Sequence, residues 1–477
     1  MPEENRTIET RVPARLDRLP WSGWHWLIVT ALGTSWLLDG LQVTLAGSLA
    51  GILEAKNGLG LTAPQVTAGA TTYLIGAVCG AILFGWLTDR LGRRRLFLVT
   101  LATYSLATAA TALSWNFFSF AAFRLVTGLG VGGEYAAINS AVDELIPGRL
   151  RGTVDLIVNG TFWVGAVFGS LASLLLLNGH VASENLGWRI AFGIGAALGI
   201  GVLLLRLKVP ESPRWLMLRG QEKDAERIVG DIEKRVGRGG ELPAVEGDPL
   251  KLKTRKHTPW GDVFRSMLRD NRQRSFLALV LMVGQSFFFN SVFFTFGLVV
   301  KQFYHVTDQR MPIHLLPFAA ASFLGPLTLG RLFDKVGRKP MIAISYGVSG
   351  LGLIATVFPF AHGALSVAGL DACFAAIFFV ASSAASAAYL TVSEIFPLEI
   401  RAFAIAIFYA IGTLIGGVGA PLLFGNLISS GSRWHVGIGY FIGAALMLAG
   451  SLCEATIGVE AAGKSLESVS KPIQSSS

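Results

Sequence analysis

Gly85-Trp86-Leu87-Thr88-Asp89-Arg90-Leu91-Gly92-Arg93-Arg94-Arg95 separates two long apolar runs. Its pattern returns in the second half of the chain as Gly330-Arg331-Leu332-Phe333-Asp334-Lys335-Val336-Gly337-Arg338-Lys339. The shift is 330 − 85 = 245 positions. A second motif behaves alike: Glu144-x2-Pro147-x3-Arg151 returns as Glu394-x2-Pro397-x3-Arg401, shifted by 394 − 144 = 250. Both shifts are close to half of the 477 residues, so the chain reads as two copies of one architecture in the same topology.

The stretches around these loops are apolar. The chain is 52% hydrophobic and 15% charged, against about 25% charged in soluble domains. Mean hydropathy is +0.55 and glycine reaches 56 residues. This excludes a disordered chain, a coiled coil and an ordinary soluble enzyme. It points to a polytopic membrane protein, whose helices need apolar surfaces toward lipid and small residues toward each other. A β-barrel does not fit, because the apolar runs approach 20 residues without period-two alternation. Twelve runs are long enough to span a bilayer: 24–50, 66–88, 96–114, 117–141, 153–177, 188–208, 275–302, 312–333, 340–360, 365–390, 402–429 and 435–457.

The net charge of +9 is concentrated in particular loops, which makes it a topology signal and not a nucleic-acid surface. The even-numbered loops carry Arg90, Arg93, Arg94, Arg95, Arg149, Arg151, Arg331, Lys335, Arg338, Lys339 and Arg401. The odd-numbered loops carry Lys56, Arg189, Lys301, Arg310 and Arg433. Eleven against five predicts the even loops, both termini and the 209–274 linker in the cytoplasm, and the short external loops without a glycosylated ectodomain lead to the expectation of a cell (inner) membrane. The expected division is a first six-helix bundle with its N-tail over 1–208, a linker over 209–274, a second bundle over 275–457 and a C-tail over 458–477. Within the linker, 213–237 reads as an amphipathic surface helix, 238–258 as a mobile Gly/Pro/Lys-rich segment and 259–274 as a second basic helix. The cysteines Cys79, Cys373 and Cys453 are isolated, the histidines lack metal spacing, and no leader peptide is expected.

At these motifs the chain resembles the major facilitator superfamily, over about residues 20–460. The 85–95 loop is the most specific mark. Arg124-x3-Gly128-x-Gly130-x-Gly132-Gly133-Glu134 resembles the fourth-helix motif. Pro210-Glu211-Ser212-Pro213-Arg214-Trp215-Leu216 resembles the segment after helix six in sugar-porter, organic-ion and synaptic-vesicle branches. Gln285-x4-Asn290 followed by Val292-Phe293-Phe294 resembles the seventh-helix sugar-porter pattern, with Phe-Phe where that branch carries tyrosines. The resemblance implies an all-α fold of twelve transmembrane helices in two six-helix bundles. It also implies a charge network that gates one side: Asp89, Arg93, Glu144 and Arg151, with Asp334, Arg338, Glu394 and Arg401.

Ionisable groups inside spans are costly and mark function. Asp39, in the middle of the first span, and Glu134 are the proton-coupling candidates. Gln42, three residues after Asp39, stands where related acid transporters carry a second carboxylate. Substrate-binding candidates are Gln42, Arg124, Asn159, Trp163, Gln285, Asn290 and Tyr389. Asp155 is expected to pair with Arg151 one turn earlier. Gly128–Gly133 also matches G-x-G-x-x-G, but without a preceding strand it reads as a packing face. No catalytic constellation and no Walker sequence is present, so neither enzyme chemistry nor a cofactor is expected, and transport would run on gradients. The favoured reading is a monomeric secondary active transporter of a small polar metabolite in the lipid bilayer. An organic acid is preferred over a sugar, and protons are the coupling ion. The alternatives are a facilitator or exporter of the same fold, a sugar porter, or a non-transporting receptor.

Overall fold

The computed structural model describes residues 6–48, 52–53, 58–176, 184–237, 240–245, 249–254, 259–307 and 310–470. Apolar runs of this length close their backbone hydrogen bonds within the segment, as helices do. Spans one to six are Gly23–Ser48, Ala63–Leu91, Arg93–Ala112, Phe117–Leu145, Arg151–Leu176 and Glu184–Arg206. Spans seven to ten are Arg272–Tyr304, Met311–Lys335, Arg338–Ala361 and Val367–Ile395. Span eleven runs from Arg401 to Ser429 with a π-helical middle, Thr413–Gly419, and span twelve is Arg433–Ile457. Eleven of these are apolar enough to cross a membrane by composition alone. The other, span four, carries Arg124, Glu134, Asp143 and Glu144, all buried. From Thr127 onward it is largely buried among its neighbours, whereas Phe118, Leu125 and Val126 near its start are exposed.

Small residues set the closest approaches. A methyl group on Gly76 or Gly80 of span two would collide with the Leu125 or Leu129 backbone of span four, and one on Gly128 or Gly132 with Tyr73 or Ala77. The glycine stretch in span four is therefore a packing face. Gly40, next to Asp39, and Gly165 let spans one and five touch backbone to backbone. Gly416, in the π-helical middle, does the same against Ser286 and Phe287 of span seven.

The linker departs from expectation. Residues 213–237 form two helices, Pro213–Leu218 and Glu222–Gly237, broken at Gly220, whose φ is 71°. In the segment expected to be mobile, Leu250–Lys253 is a strand paired antiparallel with Thr7–Thr10 of the N-tail, while 238–239, 246–248 and 255–258 lie outside the described residues. The expected second helix is short, Trp260–Arg265, passing through a π turn at Ser266–Asp270 into span seven. The N-tail is further tied down by Arg15, which ion-pairs with Glu226 and, at 2.6 Å, with Glu233. Hydrogen bonds from Arg15, then from Arg18, outweigh burial and hold the Glu233 carboxyl below its ordinary range. This contribution is present above the unfolded value of about 4.3 and is lost as pH falls through the lower folded value. Such a partly exposed cluster contributes up to about 1 kcal/mol. The protection factor of the Thr7–Thr10 amides, corrected for the intrinsic pH dependence of exchange, is therefore expected to fall up to about fivefold on acidification, and Glu233→Gln to remove that step.

Spans three and nine begin immediately after glycines in extended, positive-φ geometry: Gly92 at 97° and Gly337 at 121°. A Cβ at either would strike a carboxylate, Glu211 or Glu460. That backbone region is essentially restricted to glycine. Gly92→Ala is expected to lower stability by about 1–3 kcal/mol in thermal melts. Gly463→Ala, at φ 67° with open space around it, should cost less.

Candidate substrate site and gate

Asp39 lies about two-thirds of the way along span one and is buried. Its Oδ1 accepts from the Tyr73 hydroxyl of span two at 2.7 Å, and its Oδ2 from the Tyr135 hydroxyl of span four. Among the described residues no Lys or Arg nitrogen lies within 4.0 Å of it. The nearby cation, Arg124, sits with its guanidinium 4.3 Å over the Tyr73 ring. It is a cation held on a π face, one ring away from the carboxylate. Its Nη1 is buried without a hydrogen-bond partner.

Tyr135 links this carboxylate to the second half of the chain. Its ring stacks on Trp36 at 4.4 Å and meets Tyr409 of span eleven edge-on at 4.6 Å. Tyr389 of span ten lies 5.8 Å from Trp36 and 6.3 Å from Tyr409, and its hydroxyl interacts with Gln285. A second aromatic cluster joins span five to spans seven and ten. Trp163 lies 5.0 Å from Phe293, 5.6 Å from Phe289 and 6.4 Å from Phe378. Offset and edge-on geometries of this kind are the ones that aromatic pairs prefer.

The other candidates are engaged elsewhere. Glu134 lies 3.6 Å from Arg206 of span six, whose Nη2 donates to the Ser35 hydroxyl at 2.5 Å. Gln42 accepts from Thr108 of span three at 3.1 Å. Asn290 donates to the Ser286 carbonyl of its own helix at 2.6 Å. Asn159 donates to Asn139 at 3.1 Å and to Asp155 at 3.0 Å. The structure thus gathers Asp39, Arg124, Gln285 and Tyr389 around the tyrosines, sets Trp163 in the second cluster, and separates the rest. Sequence reasoning missed Trp36, Tyr73, Tyr135, Tyr409 and Arg206. The only signal was hydroxyl-bearing or charged residues within apolar runs.

All eight predicted gate residues meet at one end of the bundle. Arg93 lies 3.3 Å from Asp89 and 2.8 Å from Glu144. Arg338 repeats this, 2.7 Å from Asp334 and 3.0 Å from Glu394. Each aspartate then crosses to the other half. Asp89 accepts from the Phe403 N–H at the start of span eleven, 3.1 Å away. Asp334 accepts from the Gly152 and Thr153 N–H groups at the start of span five, 3.1 and 2.7 Å away, and from the Thr153 hydroxyl. Free N–H groups and the helix dipole make each helix start a natural carboxylate site. Arg151 reaches Glu394 at 3.5 Å and turns away from Asp155, so the expected local pair does not form. Arg401 bonds the Phe396 carbonyl at 3.3 Å and lies in the field of Asp143 and Glu144. One further symmetry was missed: Glu211 accepts from the Arg93 N–H at 2.8 Å and Glu460 from the Arg338 N–H at 2.9 Å. Burial raises the Glu211 carboxyl above its ordinary value despite these donors.

Twelve long helices and a repeated pair of charged loops closed across the two halves thus surround a buried carboxylate set among aromatics. The chain matches the family described as "Sugar (and other) transporter" over residues 42–472, and it belongs to that family. It is 28% identical over 458 residues to the niacin transporter NiaP of Acinetobacter baylyi, covering 96% of this chain and 99% of that protein. It is 26% identical to a gallate transporter of Pseudomonas putida, covering 86% and 90%. Among solved structures, its fold matches the proton:xylose symporter XylE bound to 6-bromo-6-deoxy-D-glucose. The TM-score is 0.75 and the identity 20%, over 93% of this chain and 98% of that one.

Proposed function

We propose that this transporter is a proton-coupled symporter of a small, planar carboxylic acid, working by alternating access between two six-helix bundles. The observation that carries the reading is the aromatic enclosure around Asp39, drawn from spans one, two, four, ten and eleven. Relatives named for niacin and gallate transport handle flat ring compounds, and the aromatic walls suit such a guest. The unpartnered Arg124 Nη1 offers the substrate carboxylate a donor.

Coupling follows from charge. With Asp39 ionised, an anionic substrate faces a like charge in a medium of low dielectric. A proton on Asp39 removes that repulsion, so proton and anion bind favourably together. It also changes what Asp39 asks of the Tyr135 hydroxyl, and the Tyr135 ring touches Tyr409 in the other half. The Asp89 and Asp334 caps are short-range contacts that must break when the halves rock, so they bias the two states. The basic loops at that end support placing it, with both termini, in the cytoplasm.

A sugar substrate is the second reading. The sugar-bound structural neighbour and the Gln285–Tyr389 contact favour it. Thermal unfolding of the purified protein with aromatic carboxylates, aliphatic carboxylates and hexoses separates the two. A ligand at 100 times its dissociation constant adds about 2.7 kcal/mol. Stabilisation by aromatic carboxylates, stronger in acid, is the expected result. Stabilisation by hexoses alone would replace this reading with a sugar porter.

A further inference from the structure

Asp155 is fully buried in span five, 0% exposed. Its Oδ2 accepts from Asn159 at 3.0 Å, and its Oδ1 accepts from nothing among the described residues. No Lys or Arg nitrogen lies within 4.0 Å of it, Arg151 having turned to Glu394, Asp143 and Asp17. The groups whose charges act on it are Asp143 of span four, Glu394 of span ten and Arg338 of span nine, two anions against one cation. Asn159 Oδ1, on the next turn, is also a buried acceptor without a hydrogen-bond partner, while the Arg151 guanidinium faces Asp143 and Glu394 instead. A carboxylate stripped of water and of a cation is costly to keep charged. A proton on Asp155 supplies the missing donor and removes the charge.

Its place in the molecule gives that proton a task. Asp155 lies one turn beyond Gly152 and Thr153, whose N–H groups hold Asp334 across the gate. In the other direction Asn159 bonds Asn139, and the Asn139 amide donates to the Tyr135 carbonyl at 2.8 Å. Tyr135 in turn donates to Asp39. Amides do not relay protons in this way, but they fix Asp155 between the substrate site and the gate.

We propose that Asp155 is a second proton-binding residue, whose exchange with water is controlled by the Asp334 contact at the start of its own span. With the gate closed, Asp155 keeps its proton. When Asp334 leaves Gly152 and Thr153, water reaches Asp155, the proton departs, and the charged form holds the gate open. The inference rests on the alternating-access reading above, but on no particular substrate.

The test is a distance measurement across the gate. Spin labels are placed at Leu91→Cys and Val336→Cys, exposed residues at the ends of spans two and eight. The background has Cys79, Cys373 and Cys453 replaced by serine, and the protein is reconstituted in liposomes. In the parent the long-distance population is expected to grow as pH rises. Asp155→Asn, near-isosteric and uncharged, should lose at least about four-fifths of that response and stay short. Asp155→Glu should retain it, showing that the site folds and still titrates. An Asp155→Asn response equal to the parent's overturns the proposal. So does a response lost in Asp143→Asn instead, or one that follows sodium in place of pH. A parent distance indifferent to pH also overturns it. Uptake of nicotinate and gallate in the same liposomes shows separately whether the transport reading stands.

Discussion

Asp39→Asn is expected to abolish uphill uptake of the substrate while sparing exchange. With one proton moving per substrate, each unit of pH gradient, about 1.4 kcal/mol, supports about tenfold accumulation. The asparagine variant should fall to a ratio near one in proteoliposomes. Counterflow, which needs no net proton movement, should persist, because the amide oxygen still accepts from one tyrosine hydroxyl, the amide NH2 donates to the oxygen of the other, and no negative charge faces an anion. Tyr135→Phe separates the two parts of the argument. It leaves Asp39 able to titrate but removes the hydroxyl that ties it to the ring against Tyr409. Slower turnover with undiminished final accumulation is the expected outcome. If Asp39→Asn liposomes still concentrate substrate against a gradient, protons are coupled elsewhere, and the electrostatic account of Asp39 is wrong.

The fold was legible because its signals are long. Apolar runs near 20 residues must become helices in a bilayer, and a motif repeated about 245 residues on leaves one architecture to consider. The paired charge clusters were legible for the same reason, since Asp89 and Asp334 occupy equivalent places. The strand Leu250–Lys253 was not, because Leu-Lys-Leu-Lys is only four residues of alternation within a lysine-rich segment, and its partner lies in the N-tail. The tyrosines around Asp39 were hidden by context. In an apolar span a tyrosine reads as packing until a carboxylate from another helix is seen against its hydroxyl. Asp155 shows the limit of local spacing. Four residues separate it from Arg151, yet Arg151 stands in the first turn of its helix and reaches outward to Glu394. The repeated caps Glu211 and Glu460 escaped because a single shared glutamate, after Pro210 in one half and after Val459 in the other, is too little sequence to read as a repeat.

Arg206→Met is expected to be the most destabilising single change at a charged residue of the first six spans. Arg206 is fully buried, stacks 4.5 Å over the Phe97 ring, donates to the Ala31 carbonyl at 3.2 Å and to Ser35 at 2.5 Å, and faces Glu134. Removing one partner of a buried ion pair leaves the other charge without compensation, which typically costs about 3–5 kcal/mol. Replacing both partners with groups of similar shape is often close to neutral. The double variant Glu134→Gln/Arg206→Met should therefore regain most of the loss in thermal unfolding. The cycle also decides what Glu134 does. If Glu134 serves only as the partner of Arg206, the double variant recovers stability and accumulates substrate up a proton gradient like the parent. If Glu134 carries a transported proton, the double variant recovers stability but not accumulation. Structural and coupling roles of one carboxylate are thereby read from two independent measurements on the same protein.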